Sequence, residues 1–258
     1  MPIVKSIASV VKTGSRSLEG ALPVLDNPAM AAPIDPTTRP DSLSRQIYAT
    51  LREGIIRGRY PQGSRLAEQR LAEELQVSRV PLREAVPVLE IEGFVSTLPR
   101  RSAIVTTWTI RSVHDLFDLR LCLEVGAARY AARRIADGAS IAPLRAALET
   151  ARGSLNSGDA YRIADDSTRF HEGIVDLTDN ALMRAVMRSL AGRMMWLFFM
   201  THEPGPLHAH NGHEELLAAI ESGDERVAEA VAYTHIEHHR IDSMRALRAS
   251  SDIRDEPA

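Results

Sequence analysis

Cysteine is nearly missing from this chain of 258 residues: Cys122 stands alone, so no internal disulfide is possible. A single thiol fits a reducing compartment. No run of 18 apolar residues occurs, which excludes a membrane-spanning helix, and the apolar run Met194 to Met200 is far too short for one. Aromatic residues are only 5% of the chain, so aliphatic side chains must fill the core. Lysine is confined to Lys5 and Lys12, so nearly all positive charge is arginine. The apolar segment around Ile7 to Val11 is too short and too interrupted for a signal peptide. No internal repeat or low-complexity tract is present. These absences predict a cytoplasmic protein with no membrane association.

What is present divides unevenly. Residues 1–40 carry six prolines and no sustained period, and read as a flexible N-terminal arm. Residues 41–106 hold ten arginines against eight acids, net +2, whereas residues 107–250 hold sixteen against twenty, net −4. Residues 251–258 read as a tail. An excess of two charges is a weak sign of nucleic-acid binding, so the placement of the arginines has to carry that argument.

Leu43, Ile47, Leu51 and Ile55 recur every four residues and predict a first helix with one apolar stripe. Gly58, Pro61 and Gly63 end it. A short second helix runs from Glu68 to Leu75, a tight turn follows, and a third helix begins near Ser78 and ends at Gly93. The stretch FVSTLPRRSAIVTT alternates as strand, turn and strand, with its tip at Pro99-Arg100-Arg101-Ser102. Three helices and a two-stranded hairpin, in that order, make a winged helix-turn-helix. Such a fold presents the first residues of its third helix to the major groove. Arg79 and Arg83 are four apart and share one face, and arginine can bond guanine through two donors. Ser78 is the expected cap, with exposed amides suited to a phosphate. Arg100 and Arg101 are placed to reach the DNA backbone or the minor groove from the wing. Pro87 removes a backbone hydrogen bond at a cost of about 3 kcal/mol, which predicts a kink after Arg83.

The segment LREGIIRGRYPQGSRLAEQRLAEELQVSRVPLREAVPVLEIEGFV, with PRRSAIV after it, resembles the winged-helix domain of the GntR family of bacterial transcription regulators. The resemblance covers residues 43–106. It implies a homodimer on double-stranded operator DNA, with contacts from Ser78, Arg79, Val80, Pro81, Arg83, Arg101 and Ser102. Three positions depart from the family pattern: Val80 stands where a hydroxyl residue is usual, Ser102 where glycine is usual, and Pro87 where a helix former is usual.

From Ile110 onward only helical patterns occur, over 110–136, 141–156, 159–178, 181–201, 211–222 and 224–248. All nine histidines lie after residue 110. His213 and His235 are 22 residues apart, and Gly223 divides the segment between them into two helices, so they can face each other across a helical hairpin. His171 follows Phe170 on an earlier helix. Three neutral imidazoles from three helices suit a divalent metal such as zinc. Arg120 and Glu124 are four apart, either as an internal helix pair or as a carboxylate-binding arginine with its partner.

The stretches LRLCLEVGAARYAAR, RFHEGIVDLTDNALM and HEELLAAIESGDERVAEAVAYTHI resemble the FCD effector domain of the FadR-type branch of the same family. Many such domains hold a metal with three histidines and one aspartate beside a carboxylate ligand. The histidines match His171, His213 and His235. The aspartate does not carry over: Ser167 occupies its position, one turn before His171, while Asp165 and Asp166 lie off that face. The site is therefore either a three-histidine centre completed by water, Ser167 or the effector, or one that has lost its metal. Arg120, Glu124, Ser167 and Asn180 form the expected effector set, although Asn180 also suits a helix cap. His208 is a reserve ligand, and His238 and His239 are expected outside the site.

The reading is a mainly α protein: a winged helix-turn-helix, then an all-helical bundle over 107–250 for effector binding and dimerisation. Part of the apolar run 183–200 is a candidate dimer surface, with core burial as the alternative. The expected function is ligand-responsive repression of transcription, controlled by a small organic acid. A metal-dependent hydrolase is the first rival. It lacks an HExxH motif and the paired cysteines of a deaminase, so the chain is not read as an enzyme. An architectural DNA-binding protein with an inert helical domain is the second.

Overall fold

The computed structural model describes residues 40–97, 102–202, 208–249 and 253, with the backbone alone at 40–42 and 208–211. The N-terminal arm over 1–39 and most of the C-terminal tail lie outside these residues, as do Arg100, Arg101 and the side chain of His208.

The first helix, α1 (Pro40–Ile56), buries its predicted stripe: Ile47, Leu51 and Ile55 are shut from solvent. A short strand β1 (Arg65–Leu66) precedes α2 (Glu68–Leu75) and α3 (Arg79–Ile91), and β2 (Val95–Ser96) and β3 (Ala103–Val105) follow. Both outer strands pair antiparallel with β3, giving the order β1-β3-β2. The expected two-stranded hairpin is therefore a three-stranded sheet. Strand β1 escaped the sequence pattern because two residues cannot display an alternation.

Helix α3 runs through Pro87 without interruption. The missing bond frees the carbonyl of Arg83, and Pro87 is exposed, so solvent can reach the fault. The fault does not end the helix. Helix α3 packs against α1, and its buried residues, Pro81, Leu82, Ala85 and Leu89, lie on both sides of the proline.

Six long helices follow: α4 (Ile110–Ala136), α5 (Ala142–Ser154), α6 (Ala160–Leu177), α7 (Ala181–Met200), α8 (His208–Glu221) and α9 (Glu225–Ala249). Local signals set their starts. Thr109 and Ser112 form a reciprocal capping box on α4, and Asp159 and Asn180 cap α6 and α7 through their side-chain oxygens. Helix α4 packs along α9, and α6 lies between α5 and α7.

The described residues all fall in one compact unit. One continuous core crosses the expected boundary at 106/107. Trp196 of α7 stacks on Phe94 at 5.6 Å and meets Trp108 edge-on at 5.8 Å. Gly192 permits this approach, since a Cβ there would stand 2.7 Å from the Phe94 ring. Most of the apolar run on α7 is consumed inside the chain: Met187, Leu190, Met194, Met195, Trp196 and Leu197 are all buried. Core burial accounts for those residues.

Candidate DNA interface and histidine centre

The leading end of α3 is open to solvent. Ser78, Arg79, Val80 and Arg83 are exposed. Both arginines reach back to one carboxylate on α2: Arg79 Nη2 and Arg83 Nε lie 3.0 and 2.9 Å from Glu68 Oε2. Burial alone would raise the Glu68 carboxyl, but the two guanidiniums outweigh it and lower it below the usual range. The sequence reading had not picked out Glu68, though its spacing to α3 across a short turn was visible. Two expectations need correction. Ser78 holds the N-cap position in extended backbone, but its side chain makes no capping bond. Pro81 is buried among the core side chains, which removes it from any contact surface. Ser102 is half-buried just before β3.

In the helical domain the predicted residues converge. His171 on α6, His213 on α8 and His235 on α9 are all buried, and one ring nitrogen from each lies within 4.8 Å of the others. The Nε2 atoms of His171 and His213 are 3.2 Å apart. Metal–nitrogen bonds of about 2.0–2.1 Å at tetrahedral angles set ligand nitrogens about 3.3 Å apart, so this pair already stands at a ligand edge. Gly212 makes room for the third ring: a Cβ there would meet His235 Nδ1 at 2.6 Å. The site is thus a pocket of imidazoles whose approach needs a glycine.

Arg120 and Glu124 of α4 form the floor of the site. Arg120 Nε donates to Glu124 Oε1 at 2.7 Å, and Glu124 Oε2 lies 2.7 Å from His171 Nδ1 in a contact off the ring N–H axis. Burial would raise the Glu124 carboxyl, but Arg120 and then His171 hold it down at about 2. A carboxylate beside Nδ1 favours the proton on that atom and leaves the Nε2 lone pair facing His213, as carboxylate–histidine pairs do behind a metal. Burial lowers His171 and His235 below the ordinary histidine range, so both are neutral donors at neutral pH. The Arg120 guanidinium lies between the Phe117 and Phe198 rings, at 5.2 and 5.1 Å. Its Nη1 is buried without a hydrogen-bond partner among the described residues.

His239 stands outside the converging group, as expected, but directly beside it. Its ring is 4.5 Å from that of His235, one turn away on α9, and its Nε2 is buried although the residue keeps some exposed surface. Burial and then Arg120 push it down to about 3. The four-residue spacing to His235 was the available signal. Asn180 is exposed, and its Oδ1 accepts from the Leu182 and Met183 amides, so it serves as a cap. Ser167 is half-buried. Asp165 is held by Arg169 at 2.8 Å, while Asp166 lies 3.7 Å from Arg162 with its buried Oδ2 lacking a hydrogen-bond partner among the described residues, and neither belongs to the group of side chains that converge with His171.

Comparison with known proteins meets this geometry in both halves. Residues 43–105 match the profile described as bacterial regulatory proteins, gntR family, and residues 115–238 match the FCD domain. The Nta operon transcriptional regulator of Aminobacter aminovorans is 30% identical over 179 residues, covering 69% of this chain and 83% of that one. The chain belongs to the GntR family.

The gluconate operon transcriptional repressor of Bacillus licheniformis is also 30% identical, over 56% of this chain and 59% of its own. The solved structure of E. coli McbR/YncC shares the fold, with a TM-score of 0.66 at 21% identity over 79% of this chain and 98% of that one. The GntR membership makes this chain a DNA-binding transcription regulator with an FCD domain, and its relatives are regulators rather than enzymes. No helix among the described residues is long and apolar enough to cross a membrane.

Proposed function

We propose that this GntR regulator represses transcription as a cytoplasmic homodimer on operator DNA and that a small carboxylate controls its affinity. Ser78, Arg79, Val80 and Arg83 contact the DNA from α3, with Arg100, Arg101 and Ser102 doing so from the wing. The observation that carries the effector reading is Arg120, fully buried, with one guanidinium nitrogen lacking a partner beside the histidines. An unmatched buried donor costs about 1–3 kcal/mol, and a carboxylate oxygen would remove that cost. His171, His213 and His235 would hold a divalent ion, which supplies a positive anchor for the second carboxylate oxygen when bound. Gluconate, which names one relative's operon, is a carboxylate of the required kind.

Helix α7 supports a route from this site to the DNA-binding domain. Phe198 lies beside His171 and Arg120, and Trp196, two residues earlier, stacks on Phe94 of the winged helix. A shift of α7 that accommodates an effector would move both contacts. Coupling of this kind is typically worth about 1–3 kcal/mol. The test is selection on random duplex DNA, then operator titrations with and without a panel of small carboxylates. One acid should change operator affinity by about 5- to 150-fold, and Arg120→Ala should abolish that change. An operator affinity that no carboxylate alters defeats the effector reading.

A further inference from the structure

Three histidines leave a four-coordinate ion one protein ligand short. Ser167 offers only a neutral hydroxyl, Asp165 is engaged by Arg169, and Asp166 stands outside the group that converges with His171. One donor near the site has no assigned purpose. His239 Nε2 is buried, has no partner among the described residues, and belongs to a ring packed against His235 and Phe198. His235 Nε2 is buried and unpartnered as well. Histidines four apart on one helix share a face, and this spacing lets a single helix hold zinc with two imidazoles in HExxH proteins.

We propose that His239 is the fourth ligand of the divalent-metal site, so that α9 contributes two histidines and the donor set is four imidazole nitrogens. The inference rests on the reading that His171, His213 and His235 hold the ion. The His239 ring lies 6.4 and 6.1 Å from those of His171 and His213, against 5.0–5.3 Å within the other three. His239 stands outside the group that the other three form, so its coordination requires the ring to turn toward them about its side-chain torsions. Four imidazoles favour zinc, nickel or copper over magnesium, calcium or manganese, which prefer oxygen donors.

The test uses the full chain, stripped with a chelator and titrated with Zn²⁺ against a chromophoric competitor and with Co²⁺ by visible absorption. Melting curves of the stripped proteins show that each variant folds. The wild type should bind one ion per chain. His239→Ala should weaken Zn²⁺ by at least about tenfold, the lower end of what even an outer-sphere partner contributes, and should change the Co²⁺ spectrum. His239→Gln, which keeps the volume, should do the same, and His238→Ala, at an exposed neighbour, should change neither. Adding Ser167→Asp to His239→Ala should recover affinity by restoring a ligand one turn from His171. Wild-type affinity and spectrum in both His239 variants, with binding lost in His213→Ala, would overturn the role of His239 and leave the three-histidine reading standing. A wild type that takes up neither ion would overturn both.

Discussion

Two groupings of arginine with glutamate in this chain share their chemistry and differ in their surroundings. At the start of α3, Arg79 and Arg83 share Glu68 with 54% and 59% of their side chains exposed. In the helical domain Arg120 pairs with Glu124 at 0% and 4% exposure. Water screens the first grouping, so each arginine can leave Glu68 for a phosphate or a base at little cost. The second is shut from water, and removing one partner strands a charge that nothing else can solvate. Exposed pairs are thus held in readiness for a partner, while the buried pair fixes the rings beside it.

The largest effect should come from breaking the buried pair. Glu124→Ala leaves Arg120 uncompensated and should cost about 3–5 kcal/mol in urea unfolding, with loss of any metal bound at His171. A cost below about 1 kcal/mol would place Arg120 and Glu124 with the surface pairs.

The exposed end should respond in binding rather than in stability. Arg83→Ala should weaken operator DNA by about 1–3 kcal/mol and relax the preference at one base pair, with unfolding unchanged. Titration of the variant on the selected operator and on single-site mismatches checks this.

Acid should separate the two regions again. His239 is held at about 3 and His235 well below the ordinary value, whereas an unfolded histidine titrates near 6.5. Above that value neither state carries the proton. As the pH falls from about 6.5, the unfolded chain takes up protons that the folded chain refuses, so stability falls with pH. The slope should be about 1.4 kcal/mol per pH unit for each histidine, and His239→Ala should remove one histidine's share. Urea midpoints of metal-free protein across this window measure it.

The smallest effect belongs to Glu68→Gln. Stability should change by less than about 1 kcal/mol, because the pairs are screened. DNA binding should strengthen slightly, since Arg79 and Arg83 lose a competing carboxylate. Weaker binding would mean that Glu68 positions the arginines, and anisotropy titrations at two salt concentrations distinguish the cases.

Much of the frame was legible in the sequence because periodicity and capping are local. The four-residue stripe of α1 is buried as read, and α4 spans the predicted 110–136. The convergence of His171, His213 and His235 was readable because Gly223 forces α8 and α9 into a hairpin. Strand β1 was not legible, because it exists only through its pairing with β3. Pro81 was read as a contact, yet its side chain is covered by the core.

The sequence by itself determined the order of the long helices, the arginines at the head of α3 and the histidines that meet. Tertiary structure alone decided that Glu68 holds both arginines, that Glu124 stands behind His171, and that the His239 ring packs against His235. The physical reason is range. Helix periodicity and caps act within a few residues of chain, whereas the charge and protonation of a buried group are set by whichever side chains packing brings within a few ångströms of it.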